Sequence, residues 1–566
     1  MLFSGGVIMA YFVKKTKQGK KTFLAIYQSF YDHGKRGTAH KSYQAFGSVE
    51  ALLESGIEDP IAYVQKQVDE LNKTRDDARI RKITDKSPLV YLGYFPLKNI
   101  IDKLNIKHFV DIFKLTTKFN YELFDLLSSL IYARSVNPCS KYRTFHEVIP
   151  NLYHNYNYSY DQLLDGLSFL GNDYEKFVEI FTAQINKKYK LDTTLTYFDC
   201  TNFYFEIDRE DDFRRLGPSK ENRKSPIIGL GLLLDANQIP IGMKMYPGNQ
   251  SEKPIIREVI DQLKRRNNIT GRTIHVADKG LNCAANIAFS KKNGDGYIFS
   301  KSIKGLPEKE KVWVLLKQDF KEVKDKDGST LYYYKSCIDE FPFTFEHEGN
   351  SISMRFKEKR LLTYNPALAT KKKLEIHKMI EKVKALTLSK AKRAEYGEAG
   401  KYVNFTDQQG KKAITTLNQV AIDNDLQLAG YNLLVTSEIY MKDQDIYNTY
   451  HNLWRIEESF KIMKSDLDAR PAFCQKEETI KGHFLICYLT VTLERIFQFI
   501  ILNNNFSTAE ITRFIKDFRV VRVDSKYINT TVTSKLIEHL AKLFNLPLTN
   551  YTLSDTQIKS IFNYKI

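Results

Sequence analysis

Two aspartates stand where apolar strands would ordinarily exclude charge. Asp199 lies inside the run Leu-Thr-Tyr-Phe-Asp-Cys-Thr-Asn-Phe-Tyr-Phe (195–205), and Asp278 closes Thr-Ile-His-Val-Ala-Asp (273–278) just before Lys279 and Gly280. Burying a lone carboxylate is costly unless a cation or hydrogen-bond donors meet it. Two strands of one sheet that end in aspartate on the same side bring their carboxylates close together. Such a pair repels itself unless a divalent cation lies between, and hard all-oxygen ligands suit magnesium or manganese. A third carboxylate comes from the segment 450–467, Tyr-His-Asn-Leu-Trp-Arg-Ile-Glu-Glu-Ser-Phe-Lys-Ile-Met-Lys-Ser-Asp-Leu. Tyr450, Glu457 and Lys464 recur every seven residues, and seven residues of α-helix drift only about 20°, so the three share one stripe. Leu453 and Phe460 supply the apolar strip that packs this helix on the sheet. Glu457 is then a third metal ligand carried over the strand ends, and Lys464 can meet a phosphate. Glu458 is the rival ligand, off the stripe. Taken singly, each aspartate reads as readily as a helix cap or turn former, and the helix as readily as an amphipathic one with a solvated face. Only the combination points to metal-assisted chemistry on phosphate.

The chain that must position these groups has 566 residues, too many for one core; at about 150 residues per domain it should hold about three or four domains. Its formal net charge of +18 suits a polyanionic partner, nucleic acid first among them. With 43% hydrophobic and 13% aromatic residues it can bury real cores, which excludes a disordered chain. The six cysteines form no Cys-x-x-Cys pair, which argues against a thiolate zinc site and a disulfide scaffold and favours a reducing cytoplasm. The most apolar stretch, 484–501, carries Glu494 and Arg495 in its middle and reads as a buried helix rather than a membrane span. The opening Met-Leu-Phe-Ser-Gly-Gly lacks a basic flank, so no secretory signal is expected, and a start at Met9 stays open.

Residues 1–88 read as a basic β-meander with a turn at Asp-His-Gly-Lys-Arg-Gly (32–37), a helix near 58–74 and a charged linker over 75–87. Apolar residues recurring at three and four predict a helical domain over 89–190, a candidate for DNA binding. Within 191–300, strands at 195–205, 225–236, 240–248, 273–278 and 296–300 and helices at 252–266 and 283–292 give the order β-β-β-α-β-α-β. That is the first part of an α/β domain, a mixed sheet with flanking helices. Residues 301–424 form an inserted subdomain, because a structureless loop of that length is improbable in a compact domain. Its stretch 371–393 is a helix candidate with nine Lys or Arg against two Glu, either a phosphate-binding surface or a solvated face. The second part of the sheet domain, 425–500, contains a strand at 430–437 and a long helix over 442–466. A helical region, 501–566, ends the chain.

Together these residues resemble the DDE transposases of bacterial insertion sequences, in the branch with a β-rich insertion between the second aspartate and the glutamate. The resemblance spans roughly 190–500. Asp199 in Phe-Asp-Cys-Thr is similar to the first family aspartate and Asp278 in Val-Ala-Asp-Lys-Gly to the second. Glu457 is similar to the glutamate of a Tyr, Arg, Glu, Lys signature, with Tyr450 and Lys464 at the matching positions. Leu453 occupies the signature's arginine position, leaving Arg455 as a substitute phosphate contact. Gly248-Asn249, Gly430-Tyr431 and Gly482-His483 resemble family landmarks.

The resemblance implies an RNase H-like catalytic fold and two Mg2+ or Mn2+ ions held by Asp199, Asp278 and Glu457. It implies metal-dependent phosphodiester hydrolysis and transesterification: cleavage at the element's ends, then strand transfer into target DNA, by a cut-and-paste route. Tyr450, Arg455 and Lys464 would hold DNA phosphates and Trp454 would stack on an unpaired base. The implied partners are double-stranded DNA, both terminal inverted repeats and target, and a second copy of the chain in a synaptic homodimer. No membrane is implied, and the expected location is the bacterial cytoplasm, on the nucleoid when bound to DNA. Two other readings remain: an RNase H-like nuclease that cuts without joining, and a transposase-derived DNA-binding protein that has lost catalysis.

Overall fold

The computed structural model describes residues 8–32, 37–79, 87–218, 225–266, 271–347, 349–388, 393–406, 414–470, 472–523 and 526–565. The chain divides into two compact units, Met1–Ser87 and Pro88–Ile566. In the first, β1 (Ile8–Gln18), β2 (Lys21–Asp32) and β3 (Gly37–Ser48) form an antiparallel meander in that order. Leu24 and Ile26 of β2 close a small core against Val64 and Val68 of the helix Pro60–Arg79. Asn72 clamps that helix to β1, accepting from the Tyr11 amide and donating to the Tyr11 carbonyl, both at 2.9 Å. The helix reaches Arg79, so the first part of the expected linker is helical. Residues 80–86, the turn residues 33–36 and residues 1–7 lie outside the described residues.

The second unit opens on β4 (Leu89–Tyr91) and six α-helices between Phe95 and Tyr189. Its centre is a nine-stranded sheet built from β5 (Leu195–Tyr204), β6 (Ile227–Asp235), β7 (Pro240–Pro247), β8 (Ile274–Ala277), β9 (Gly296–Lys301), β10 (Lys321–Lys324), β11 (Thr330–His347), β12 (Asn350–Tyr364) and, after the hairpin β13 (Val403–Thr406) and β14 (Ile414–Leu417), β15 (Tyr431–Thr436). The spatial order is β10-β11-β12-β15-β9-β8-β5-β6-β7. Strands β5, β8 and β9 run parallel, whereas β6 is antiparallel to both of its neighbours. Helices Ile255–Arg266 and Ala284–Lys292 make the crossovers into β8 and β9. The half β7-β6-β5-β8-β9 is an RNase H-like mixed sheet, in the element order that the sequence predicts.

The half β7-β6-β5-β8-β9 is covered on both sides, which is why its strands read as nearly continuous apolar runs, whereas β10 and much of β11 and β12 are exposed. Tyr197, Leu232 and Leu234 join the helical layer's core, while Phe198, Cys200 and Leu233 face Val259, Ile260 and Phe299 on the other side. The helical region 89–190 is thus one wall of the sheet's core and not a separate body. At its centre is Glu477–Arg495, packed on Tyr160–Asn172 and Leu123–Val136. This is the one helix among the described residues that is long and apolar enough to cross a membrane, and 83% of its most apolar stretch is buried inside the protein. Gly482 permits the close packing: a Cβ there would stand 2.2 Å from the Leu167 carbonyl oxygen.

The insertion is only in part the separate subdomain expected over 301–424. Its strands β10 to β12 continue the sheet through β12–β15 pairing, Tyr364 opposite Tyr431. Only the part after β12 has its own core, of Ile376, Val383, Tyr396, Tyr402 and Ile422. The basic segment forms the helix Pro366–Leu388, and residues 389–392 of the expected 371–393 helix lie outside the described residues. Gly430, at φ +86°, turns the chain back into β15 beside Ala369 of that helix. The C-terminal region contains strands as well as helices. Strands β16 (Arg519–Val523), β17 (Lys526–Asn529) and β18 (Thr552–Ser554) pair in the order β18-β17-β16-β4, joining the end of the unit to its beginning.

Candidate active site

Strands β5 and β8 are parallel neighbours in register, with Phe198 opposite Ala277. The next residue in each is an aspartate; Asp278 follows the end of β8, whereas Asp199, expected at a strand end, lies inside β5, which continues to Tyr204 along β6, so the two carboxylates adjoin where β8 stops. Both are partly buried. The Cys200 amide donates to Asp199 Oδ1 at 2.7 Å, and the Tyr450 hydroxyl donates to Asp278 Oδ1 at 3.0 Å. Burial and the negative charge of Asp278 hold the Tyr450 phenol far above its usual range, so it stays a donor.

The segment expected to be one helix over 442–466 is two helices and a π-turn: Asp443–His451, Trp454–Lys461 and Ile462–Asp466. At the junction the amides of Leu453, Arg455 and Ile456 each donate to the carbonyl three residues back, at 3.0–3.1 Å. This is 3₁₀ geometry, which advances 120° per residue rather than 100°, so three residues rotate the second half by roughly 60°. The expected single stripe is thereby divided. Tyr450 points to Asp278, whereas Glu457 and Lys464 line a cleft of about 340 Å³ with Asp199. Phe460 packs the second helix into the core, with Leu453 partly buried at its start. Glu457 itself is exposed.

The rival glutamate is engaged elsewhere. Glu458 forms an ion pair with the buried Arg495 at 3.0 Å and accepts from Thr508 Oγ1 at 2.7 Å. Arg455 lies against two rings, 4.7 Å from the Trp454 centroid and 5.2 Å from that of Phe499. Trp454 is 51% exposed, one turn before Glu457. The cleft also contains Lys461 and Arg470, which the sequence reading missed. Lys461 follows Glu457 by one helical turn and was open to discovery by spacing; Arg470 lies beyond the π-turn, where no periodicity marks it. Asp278 and Tyr450 line a second cleft of about 720 Å³, with Lys279, Lys301 and the insertion's Lys371 and Lys372.

Asp199 is thus paired with Asp278 by strand register and with Glu457 by a shared cleft. Among the described residues no three acidic, histidine or cysteine side chains stand together closely enough to hold a metal ion. The donor set, three carboxylates and no sulfur or imidazole, fits a hard divalent cation.

Residues 193–493, more than half of the chain, match the family model described as the transposase DDE domain, and the chain belongs to that family. No curated protein matches the chain. Among solved structures, the cryo-EM structure of a piggyBac transposase synaptic complex with hairpin DNA is similar at 10% identity, covering 75% of this chain and 79% of that one with a TM-score of 0.37. So distant a likeness carries no weight for the site or the activity.

Proposed function

We propose that the protein is a DNA transposase that cleaves the ends of a mobile element and joins the freed 3′ ends to target DNA by a cut-and-paste route. The observation that supports this reading is the placement of Asp199, within β5, beside Asp278, just past the end of the parallel strand β8, with Glu457 lining the same cleft as Asp199. Asp199, Asp278 and Glu457 would hold two Mg2+ or Mn2+ ions, which supply charge neutralisation on the scissile phosphate and activation of the attacking oxygen. Tyr450 orients Asp278 through its hydroxyl. Lys464, with Lys461 and Arg470, provides positive charge for the phosphates of the strand in the cleft, and desolvation there strengthens each contact. Arg455 and Trp454 present a stacked cation and an exposed indole for the end of the duplex, where an unpaired base would stack. The net charge of +18 supports affinity for double-stranded DNA, both inverted repeats and target, that falls steeply with salt. The working assembly is a homodimer on two ends, in the bacterial cytoplasm.

The test is a cleavage and strand-transfer assay on DNA carrying the element's own ends. Asp199→Ala, Asp278→Ala and Glu457→Ala should each abolish cleavage while leaving end binding intact in a mobility-shift assay. Cleavage of intact ends with no joined product from a precut end would identify a nuclease instead, and wild-type cleavage by any of the three variants would refute the assignment.

A further inference from the structure

A cleft of about 570 Å³ on the helical side of the second unit has a chemistry that the proposed active site does not use. Arg134, Lys141 and His483 line it and are only 4%, 9% and 4% exposed. Lys141 Nζ lies 3.0 Å from His483 Nδ1, and His483 Nε2 lies 3.1 Å from the Ala469 carbonyl oxygen. An ammonium has donors only, so Nδ1 accepts from Lys141 while Nε2 carries the proton and donates to the carbonyl. The imidazole is neutral, and burial beside Lys141 and Arg134 holds its pKa well below the usual value. Arg134 donates to the carbonyls of Leu467 at 3.3 Å and Cys139 at 3.0 Å. Neither cation has a carboxylate within ion-pair distance among the described residues, and the cleft's own aspartates, Asp161, Asp165 and Asp468, are exposed.

Two buried cations without a counter-charge are strongly unfavourable. Arginine does not shed its proton, and Lys141, pushed down to about 8 by burial, remains mostly charged at neutral pH. The cluster therefore favours an anion. Aromatic side chains add a second preference: Tyr142 and Phe473 are 59% and 75% exposed, and Tyr160 meets Tyr142 edge-on at 5.7 Å. Buried cations beside exposed rings are the chemistry that holds a phosphate and stacks its base. The chain itself joins this cleft to the other: Lys464, Ser465 and Arg470 border the Asp199 cleft, and Ala472 to Lys476 border this one.

We propose that the Arg134–Lys141–His483 cleft binds a phosphate of a DNA strand, with the attached base against Tyr142 and Phe473. The source of the phosphate rests on the transposase reading; the anion site does not. The experiment measures thermal unfolding of the full-length protein at constant ionic strength with inorganic phosphate or thymidine 5′-monophosphate, in wild type, Asp199→Ala and Lys141→Met. Wild type and Asp199→Ala should be stabilised by both probes, with the nucleotide effective at about tenfold lower concentration. A ligand at ten times its Kd raises the folded-to-unfolded ratio about elevenfold. Lys141→Met should lose both responses. A wild type indifferent to phosphate, or a response that survives in Lys141→Met, would overturn the proposal. Equal potency of the two probes would overturn the DNA-strand assignment. Because no probe needs catalysis, failure of the transposition assay leaves this result readable.

Discussion

Glu457 and Glu458 are adjacent, identical in chemistry and opposite in consequence. Glu458 holds Arg495, which is 1% exposed and also donates to Ser459 Oγ at 3.2 Å and Gln498 Oε1 at 2.5 Å. The Glu458–Arg495 contact is an electrostatic pair rather than a well-aligned hydrogen bond. Glu494 does not replace it, because burial keeps that carboxyl protonated to about pH 8. Breaking a buried pair by removing one partner costs about 3–5 kcal/mol. Glu458 is 23% exposed on its side chain, so solvent screening brings the expected cost of Glu458→Gln to about 2–4 kcal/mol. That is a large share of a typical total of about 5–15 kcal/mol. Glu457 is exposed and forms no ion pair among the described residues, so Glu457→Gln should change stability by no more than about 0.5 kcal/mol. Urea unfolding followed by fluorescence, with cleavage normalised to the folded fraction, should separate the two. Glu457→Gln should unfold like wild type and not cleave; Glu458→Gln should unfold at lower urea and cleave normally per folded molecule. A Glu458→Gln protein of wild-type stability that fails to cleave, beside an active Glu457→Gln, would exchange the two roles and refute the reasoning.

Glu494 predicts a pH dependence. Burial, with the charge of Asp466, raises its folded pKa to about 8, whereas the unfolded chain releases that proton at about pH 4. The folded state therefore holds the extra proton between those values, and stability falls as pH rises through that window, by at most about 1.4 kcal/mol per pH unit. Glu494→Gln should remove the slope, so its advantage over wild type in unfolding midpoint should grow from pH 5 to pH 7.5; a constant difference would contradict the burial reading. Tyr450→Phe deletes the 3.0 Å hydrogen bond to Asp278 and nothing larger. A bond of about 1–1.5 kcal/mol to a carboxylate that must stay oriented corresponds to a loss of about tenfold in cleavage rate, with end binding unchanged. An unchanged rate would mean that Asp278 needs no positioning by Tyr450.

The β7-to-β9 half of the sheet was readable because both of its faces are covered. Strands buried on two sides carry uninterrupted apolar residues, and against that background Asp199 and Asp278 stand out as charges that need a reason. The glutamate segment was readable only in part. Spacing by sevens identifies which residues share a face of an ideal helix, but it cannot register three hydrogen bonds that switch from four residues back to three, and that switch sends Tyr450 to one carboxylate and Glu457 to the other. The insertion's role in the sheet was hidden for another reason: the pairing of Tyr364 with Tyr431 is a long-range contact, and a strand's own pattern does not name its neighbour. Lys141 is the extreme case. It sits in an ordinary Cys-Ser-Lys-Tyr stretch, 342 residues from the histidine it contacts, and a lysine is presumed solvated until a structure shows otherwise. Sequence reveals a charge only where its apolar neighbours betray the burial. A charge buried by distant chain becomes visible only in the fold, and its missing counter-ion then becomes a statement about ligands.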